Sequence, residues 1–332
     1  FKDKDDCEYN YLKEADFCSG ACLLLRRGFF LEMGGFDELY SPAYCEDTDL
    51  AFRVRERGYK VIYQPKEEIM HFEGTTAGTN TSRGFKKYQI VNQKKFHERW
   101  RLALEKGHFK GGEEVFLARD RSKDKRVIVF IDYSVPNHDQ DAGSLATYLY
   151  LKLFLEMGFK VVFIPENNYK YEPYVSGLQQ MGIEVLYGKA YHLEHHFDWI
   201  ARNGRYIHYV WLARPNVGMK YLGPLRENSK AKIMYCMVDL HYLRELRRYE
   251  LEKKEEILVE ADKIKEVEMF MFENTDAVLT YSEKEAAHIR GLFPGKEIVK
   301  IPIFFYDNLH EDGSSAIAFE DRTDILFLGG FA

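Results

Sequence analysis

Residues 34–65 read GGFDELYSPAYCEDTDLAFRVRERGYKVIYQP, and this stretch organises the first third of the chain. Gly34-Gly35 punctuate a turn, and Pro42 keeps a helix from running through the loop that follows. Glu46, Asp47 and Asp49 then open a helical pattern. Leu50 and Val54 share one face, Arg55 and Arg57 sit in the last turn, and Gly58 suits the left-handed stop. Tyr59 to Tyr63 reads as a short strand closed by Pro65. One acid would suffice to cap such a helix. Three acids within four positions, after a loop of glycine, proline and aromatics, also fit a site where negative charge is wanted. On spacing alone both readings stand.

Upstream, residues 1–16 read as polar loop. Phe17 to Arg26 is apolar enough for a buried strand, and Gly20 within it allows a ligand close to the backbone. Gly28 to Met33 suits one helical turn. Downstream of His71, EGTTAGTNTSRG is loop, and Phe85 to Leu104 is a helix with Tyr88, Val91, Lys95 and Phe96 on one face. The charge run RDRSKDKR at 119–126 has no apolar face and reads as a solvated linker. The expected division is a first domain over 1–118, the linker, a second domain over 127–318, and the start of a further one at 319–332.

Beyond residue 126 the pattern alternates. Strands are expected at Val127–Ile131, Lys160–Ile164, Ile183–Tyr187, Tyr206–Leu212, Lys232–Val238, Ala277–Tyr281, Glu297–Ile301 and Asp324–Leu328. Helical stretches separate them, so the fold class is α/β with a doubly wound, Rossmann-like parallel sheet. The charged segment from Tyr242 to Glu273 is too long for one ordinary helix and should bend or divide.

In such a sheet, ligands bind beyond the carboxyl ends of the strands. The first such loop, DYSVPNHDQDAGS, offers Asp141, Gly143 and Ser144 just before a helix, as a cap or as an anion cradle. No G-x-G-x-x-G is present, which disfavours a dinucleotide site. The fifth strand delivers Asp239-Leu240-His241. The cluster HLEHHFD at 192–198 matches no metal motif and reads as solvated histidines before a helix.

Hydrophobic residues make up 45% of the 332 and aromatics 15%, enough for two sizeable cores. A net charge of -6 argues against nucleic acid as partner. Cys7, Cys18, Cys22, Cys45 and Cys236 are odd in number with no C-x-x-C pair, which points to a reduced, cytoplasmic setting. No apolar run approaches the ~20 residues of a membrane span, so at most peripheral membrane association is expected. The opening FKDKDDCEYN reads as the middle of a domain.

Gly20-Ala21-Cys22-Leu23-Leu24-Leu25-Arg26-Arg27, Gly34-Gly35-Phe36-Asp37 and Glu46-Asp47-Thr48-Asp49-Leu50, followed by Arg53, Arg57-Gly58-Tyr59 and His71-Phe72-Glu73-Gly74, resemble the C-terminal half of an inverting family 2 glycosyltransferase of GT-A fold. The resemblance covers about residues 10–100. It implies Asp47 as general base beside Glu46, with Gly20, Ala21 and Asp49 at the substrate. It also implies His71 at a divalent metal, Mg or Mn, or facing the diphosphate.

Pro136 to Ser144, Val238 to Arg244 and Asp276 to Glu283 resemble the N-terminal domain of a retaining, GT-B, family 4 glycosyltransferase over about 125–332. The glycine loop with Asp141, Gly143 and Ser144 would then face the donor phosphate and acceptor, and His241 would position and stabilise charge near the donor sugar. No cofactor is implied for this domain. Together the resemblances imply a tandem enzyme moving sugars from nucleotide-sugar donors to a glycan or lipid-linked glycan. They leave the Asp-x-Asp strand of the first domain and the donor-side half of the second outside this sequence, so the isolated chain is expected to be inactive. A non-catalytic sugar- or nucleotide-binding module, or a Rossmann-type interaction domain, is the competing reading.

Overall fold

The computed structural model describes residues 7–70, 86–188, 193–304, 319–321 and 323. His71, the loop after it and the strand expected at 324–328 lie outside them.

Seven parallel strands carry the larger part: β3 (Val127–Asp132), β4 (Lys160–Pro165), β5 (Glu184–Val185), β6 (Ile207–Ala213), β7 (Lys232–Cys236), β8 (Ala277–Thr280) and β9 (Glu297–Lys300). Their order across the sheet is β5-β4-β3-β6-β7-β8-β9. Every residue of β3 and β4 is buried, because the crossover helices cover both faces. One face packs Val127, Val129, Ile131, Trp199 and Tyr221 into a core, and the other packs Ile128, Phe130, Leu151, Phe163 and Val175. The chain reverses its direction of strand addition between β3 and β6. That places the crevice of an open α/β sheet at their carboxyl ends.

The crossover helices follow the sequence pattern. α5 (Ala142–Glu156) stops before Gly158, which sits at φ +83. α6 (Tyr174–Met181) joins β4 to β5, α7 (Leu193–Asn203) and α8 (Pro215–Asn228) cover the β6 side, and α11 (Glu283–Leu292) precedes β9. The long charged segment divides as expected, into α9 (His241–Glu252) and α10 (Glu255–Asn274), with Lys253 left-handed at the break. His196, expected in solvent, is fully buried in α7, its ring 2.7 Å from the Tyr221 hydroxyl.

The first region is built from short pieces. α1 (Arg27–Glu32), α2 (Glu46–Glu56), α3 (Lys87–Gly107) and α4 (Val115–Ala118) accompany β1 (Lys13–Glu14), which pairs antiparallel with β2 (Ile62–Tyr63). Leu50 and Val54 are buried together and Gly58 is left-handed, as the pattern required. Two expectations change. Phe17–Arg26 is irregular, with Leu23 and Leu24 exposed, because the described residues give it no strand to pair with. The inner face of α3 is Asn92, Phe96 and Trp100, four residues apart, and Val91 is exposed. Asn92 is inside with its side-chain NH2 donating to the Tyr40 and Ala43 carbonyls, while its Oδ1 has no hydrogen-bond partner among the described residues.

The charge run at 119–126, expected in solvent, is half inside. Asp120 accepts from the Tyr11 hydroxyl at 2.7 Å and from Lys160 Nζ, and Arg119 Nη2 lies 2.6 Å from Glu184. Lys160 Nζ is 3.4 Å from the same Glu184 carboxylate, and Glu8 closes the cluster on Arg119. Burial alone would keep the Asp120 carboxyl neutral, but Lys160, Ser122 and Tyr11 outweigh it and hold its pKa below the ordinary range. These buried charges fasten residues 8–16 to the amino ends of β4 and β5. The Leu12 amide donates to the Gln179 carbonyl beside them at 2.8 Å.

Candidate active sites

The acidic cluster sits at the start of α2, and the loop before it is held against its preference. Tyr44 and Cys45 are both left-handed, at φ +75 and +73, a conformation that costs a residue with a Cβ on the order of 1–2 kcal/mol. Asn92 holds that loop by its carbonyls. Asp47 then presents a half-buried carboxylate. Its Oδ2 accepts the Gly20 amide at 2.8 Å and its Oδ1 accepts the Thr48 amide at 2.7 Å. A carboxylate has about four acceptor sites, so Asp47 keeps capacity beyond these. A Cβ on Gly20 would stand 3.3 Å from Asp47 Oδ2, so glycine there allows the approach.

Asp49, two residues on, faces inward. Its Oδ1 accepts from Trp100 Nε1 at 2.8 Å and Tyr40 at 3.2 Å, and Oδ2 accepts from Arg53 Nε at 2.7 Å. Arg53 in turn donates to the Met33 and Gly35 carbonyls. Asp49 is therefore the fastening between α2, α3 and the Gly34-Gly35 turn. Glu46 Oε2 is buried with no hydrogen-bond partner among the described residues. Burial, with Asp47, Glu46 and Asp49 nearby, pushes the Cys45 thiol up to about 11, so it stays protonated. Ala21 is exposed beside Gly20.

Among the described residues no group of three His, Cys, Asp or Glu side chains could hold a metal ion. Asp47 and Asp49 spend oxygens on Gly20, Thr48, Trp100, Tyr40 and Arg53, and His71 lies outside the described residues. The described residues thus make no complete divalent site.

The second site is a cavity of about 400 Å³ at the carboxyl ends of β3, β6, β7 and β8. Phe130, Tyr150, Trp211 and Cys236 form apolar walls, while Asp132, Arg214, Ser282 and Glu285 bring polar groups. Arg214 Nε donates to Asp132 Oδ1 at 2.7 Å, and that carboxylate is the first reason its pKa is raised. Burial pushes the Cys236 thiol up to about 11. Two lining residues are left-handed against type: Arg214 at φ +65 and the β-branched Val238 at φ +67. Strain of this kind persists only where surrounding bonds impose it, and it clusters at functional sites.

Asp141 is the cap of α5, its Oδ1 accepting the Ser144 amide at 2.9 Å; the Ser144 hydroxyl donates to Asn137. Gly143 lines the cavity, and neither its amide nor that of Ala142 has a partner among the described residues. His241 opens α9 outside the cavity lining. Its Nε2 is 2.7 Å from Asp239 Oδ1, and Arg244 binds the other oxygen at 2.8 Å. Burial works against the Asp239 charge, but His241 and Arg244 outweigh it and keep its pKa below the usual carboxylate range.

Residues 7–89 match the family model described as glycosyltransferase like family 2.

The Asp47 cluster lies within that match; the cavity and His241 lie beyond it. Over 60 residues the chain is 43% identical to the N-acetylglucosaminyl-diphospho-decaprenol L-rhamnosyltransferase of Mycobacterium tuberculosis, covering 18% of this chain and 19% of that protein. Over 57 residues it is 37% identical to the rhamnosyltransferase WbbL of Escherichia coli, covering 17% and 21%. The chain thus spans about a fifth of the length of these curated relatives. Among solved structures, a sucrose-phosphate synthase from Thermosynechococcus elongatus aligns at TM-score 0.32 and 13% identity, over 55% of this chain and 90% of that one.

Of the residues named from the sequence, the structure leaves Gly20 and Gly143 exposed and Asp47 and His241 half-buried. Sequence reasoning missed Arg214 and Glu285, single residues whose partners, Asp132 and Leu240, are 82 and 45 positions away. The one local signal for Arg214 was its place just past a buried strand.

Proposed function

We propose that the protein transfers sugars from nucleotide-sugar donors to a growing glycan or lipid-linked glycan, with two sites on one chain. The observation that carries this reading is the Asp47 carboxylate, held by Gly20 and Thr48 within the stretch that matches the glycosyltransferase like family 2 model. In the first region the acceptor hydroxyl oxygen attacks the anomeric carbon and the bond from that carbon to the nucleoside diphosphate breaks. Asp47 takes the hydroxyl proton, and a single displacement inverts the centre. Glu46 and the Gly20-Ala21 backbone border the acceptor. A Mg or Mn ion held in part by His71 would neutralise the departing diphosphate.

In the second region we assign donor and acceptor to the cavity beside β3 and β6. Gly143, with the α5 start capped by Asp141 and Ser144, contributes amides there, and Arg214 contributes its guanidinium. His241 positions and stabilises charge, in a retaining transfer. Among the described residues no helix is long and apolar enough to cross a membrane; we place the enzyme in the cytoplasm with at most peripheral membrane contact. The test is to incubate the full-length enzyme with a panel of nucleotide sugars and acceptor, and read the product's anomeric configuration by NMR. A product of the first site with inverted configuration supports the reading; retention there, or no transfer from any donor, sinks it.

A further inference from the structure

The first turn of α9 is filled by the protein's own carboxylates. Glu268, fully buried on α10, accepts the His241 amide on Oε1 at 3.0 Å and the Tyr242 amide on Oε2 at 3.1 Å. Glu285, from α11, accepts the preceding Leu240 amide at 3.2 Å and the Thr280 hydroxyl at 3.1 Å, and it also lines the cavity. Asp239 takes His241 Nε2, and Arg244 secures Asp239. These bonds surround Val238, which stands in its left-handed conformation immediately before them. A helix start normally offers its unpaired amides and positive dipole end to an anion. Here three successive amides are already spent. The start of α5, on the same cavity, is the opposite: the Ala142 and Gly143 amides have no partner among the described residues.

We propose that Glu268 and Glu285 are positioning residues for His241, clamping the 238–242 loop so that its imidazole is presented rigidly while the α9 start is closed to phosphate. The clamp rests on the reading of His241 as the group that stabilises charge at the donor sugar. It gives the buried Glu268 a task that ordinary capping by an exposed side chain would not need. It also accounts for Val238: two carboxylates and an ion pair over-determine the loop, so the strained residue cannot relax. His241 Nδ1 has no partner among the described residues, so it is the ring nitrogen left for a ligand.

Three measurements test it. Hydrogen exchange on this chain should show the Leu240, His241 and Tyr242 amides protected. In Glu268→Gln the His241 and Tyr242 amides should exchange about tenfold faster or more. Unchanged protection overturns the clamp. If that variant does not fold, Glu285→Gln, on a half-exposed residue, puts the same question to the Leu240 amide. Titration of the labelled chain with millimolar inorganic diphosphate should leave the 240–242 resonances in place. Movement of the α9 amides overturns the proposal. In the full-length enzyme, Glu268→Gln should lower kcat about tenfold with KM nearly constant, as for a misplaced group, and add no further loss to His241→Ala. Losses that multiply in the double variant refute action through His241. A His241→Ala enzyme with unchanged transfer instead refutes the functional reading of that site, and the exchange result still decides the clamp.

Discussion

Replacing Lys160 by methionine tests whether the buried charges join the two regions. Lys160 is almost wholly buried between Asp120 and Glu184, both inaccessible, with Arg119 as the other cation. The substitution keeps the side-chain length and leaves Asp120 buried without its cation, while Arg119 still pairs with Glu184. Removing one member of a buried pair costs about 3–5 kcal/mol, because the partner charge stays uncompensated. For a folding unit the size of the sheet region, each kcal/mol lowers Tm by roughly 2–4 °C, so Lys160→Met should lower it by about 6–20 °C. Adding Asp120→Leu should restore most of that, since an apolar pair of similar volume is about as stable as a buried ion pair. The assay is thermal unfolding followed by circular dichroism at neutral pH, on the wild type, both single variants and the double. A Lys160→Met protein within 2 °C of wild type, the fall expected of roughly 1 kcal/mol or less, would refute the reasoning, as would a double variant weaker than both singles.

Three further outcomes follow from the geometry. Asp16, Asp120 and Asp239 all have pKa values lowered below the ordinary carboxylate range, so each stabilises the fold above that range and loses its contribution as pH falls below about 4; acid unfolding should steepen there, and a flat urea midpoint between pH 5 and 3 would contradict it. Gly204→Ala would place a Cβ 2.2 Å from the Asn228 carbonyl oxygen, a backbone atom that cannot step aside, and should cost about 3 kcal/mol or more in chemical unfolding. Val238→Gly relieves a left-handed valine and should leave Tm unchanged or raised; a fall worth more than about 1 kcal/mol would show the side chain's packing outweighs the strain.

The sheet was legible because strands such as β3, β4 and β8 are apolar runs buried along their whole length, set between helices with 3.6 periodicity. Gly158 and Gly58 marked their helix ends for the same local reason. What was not legible came from contacts distant in sequence. Nothing in RDRSKDKR says that Asp120 will meet Lys160 and Tyr11, so a charge run read as solvated turned out half buried. His196 looked like a solvent histidine until Tyr221 reached it from another helix. At the first site, the acid cluster was visible, but the division of labour was not: Asp47 looks outward and Asp49 inward because Trp100 and Arg53 claim the second carboxylate.

The most direct test of the central claim is the turnover of Asp47→Asn in the full-length enzyme. The amide keeps an oxygen for the Gly20 amide, so folding should barely change, and Tm serves as the control. Loss of the base should cut transfer at the first site by about 10²-fold or more. Near wild-type turnover with intact folding would contradict the assignment of Asp47 and the account built on it.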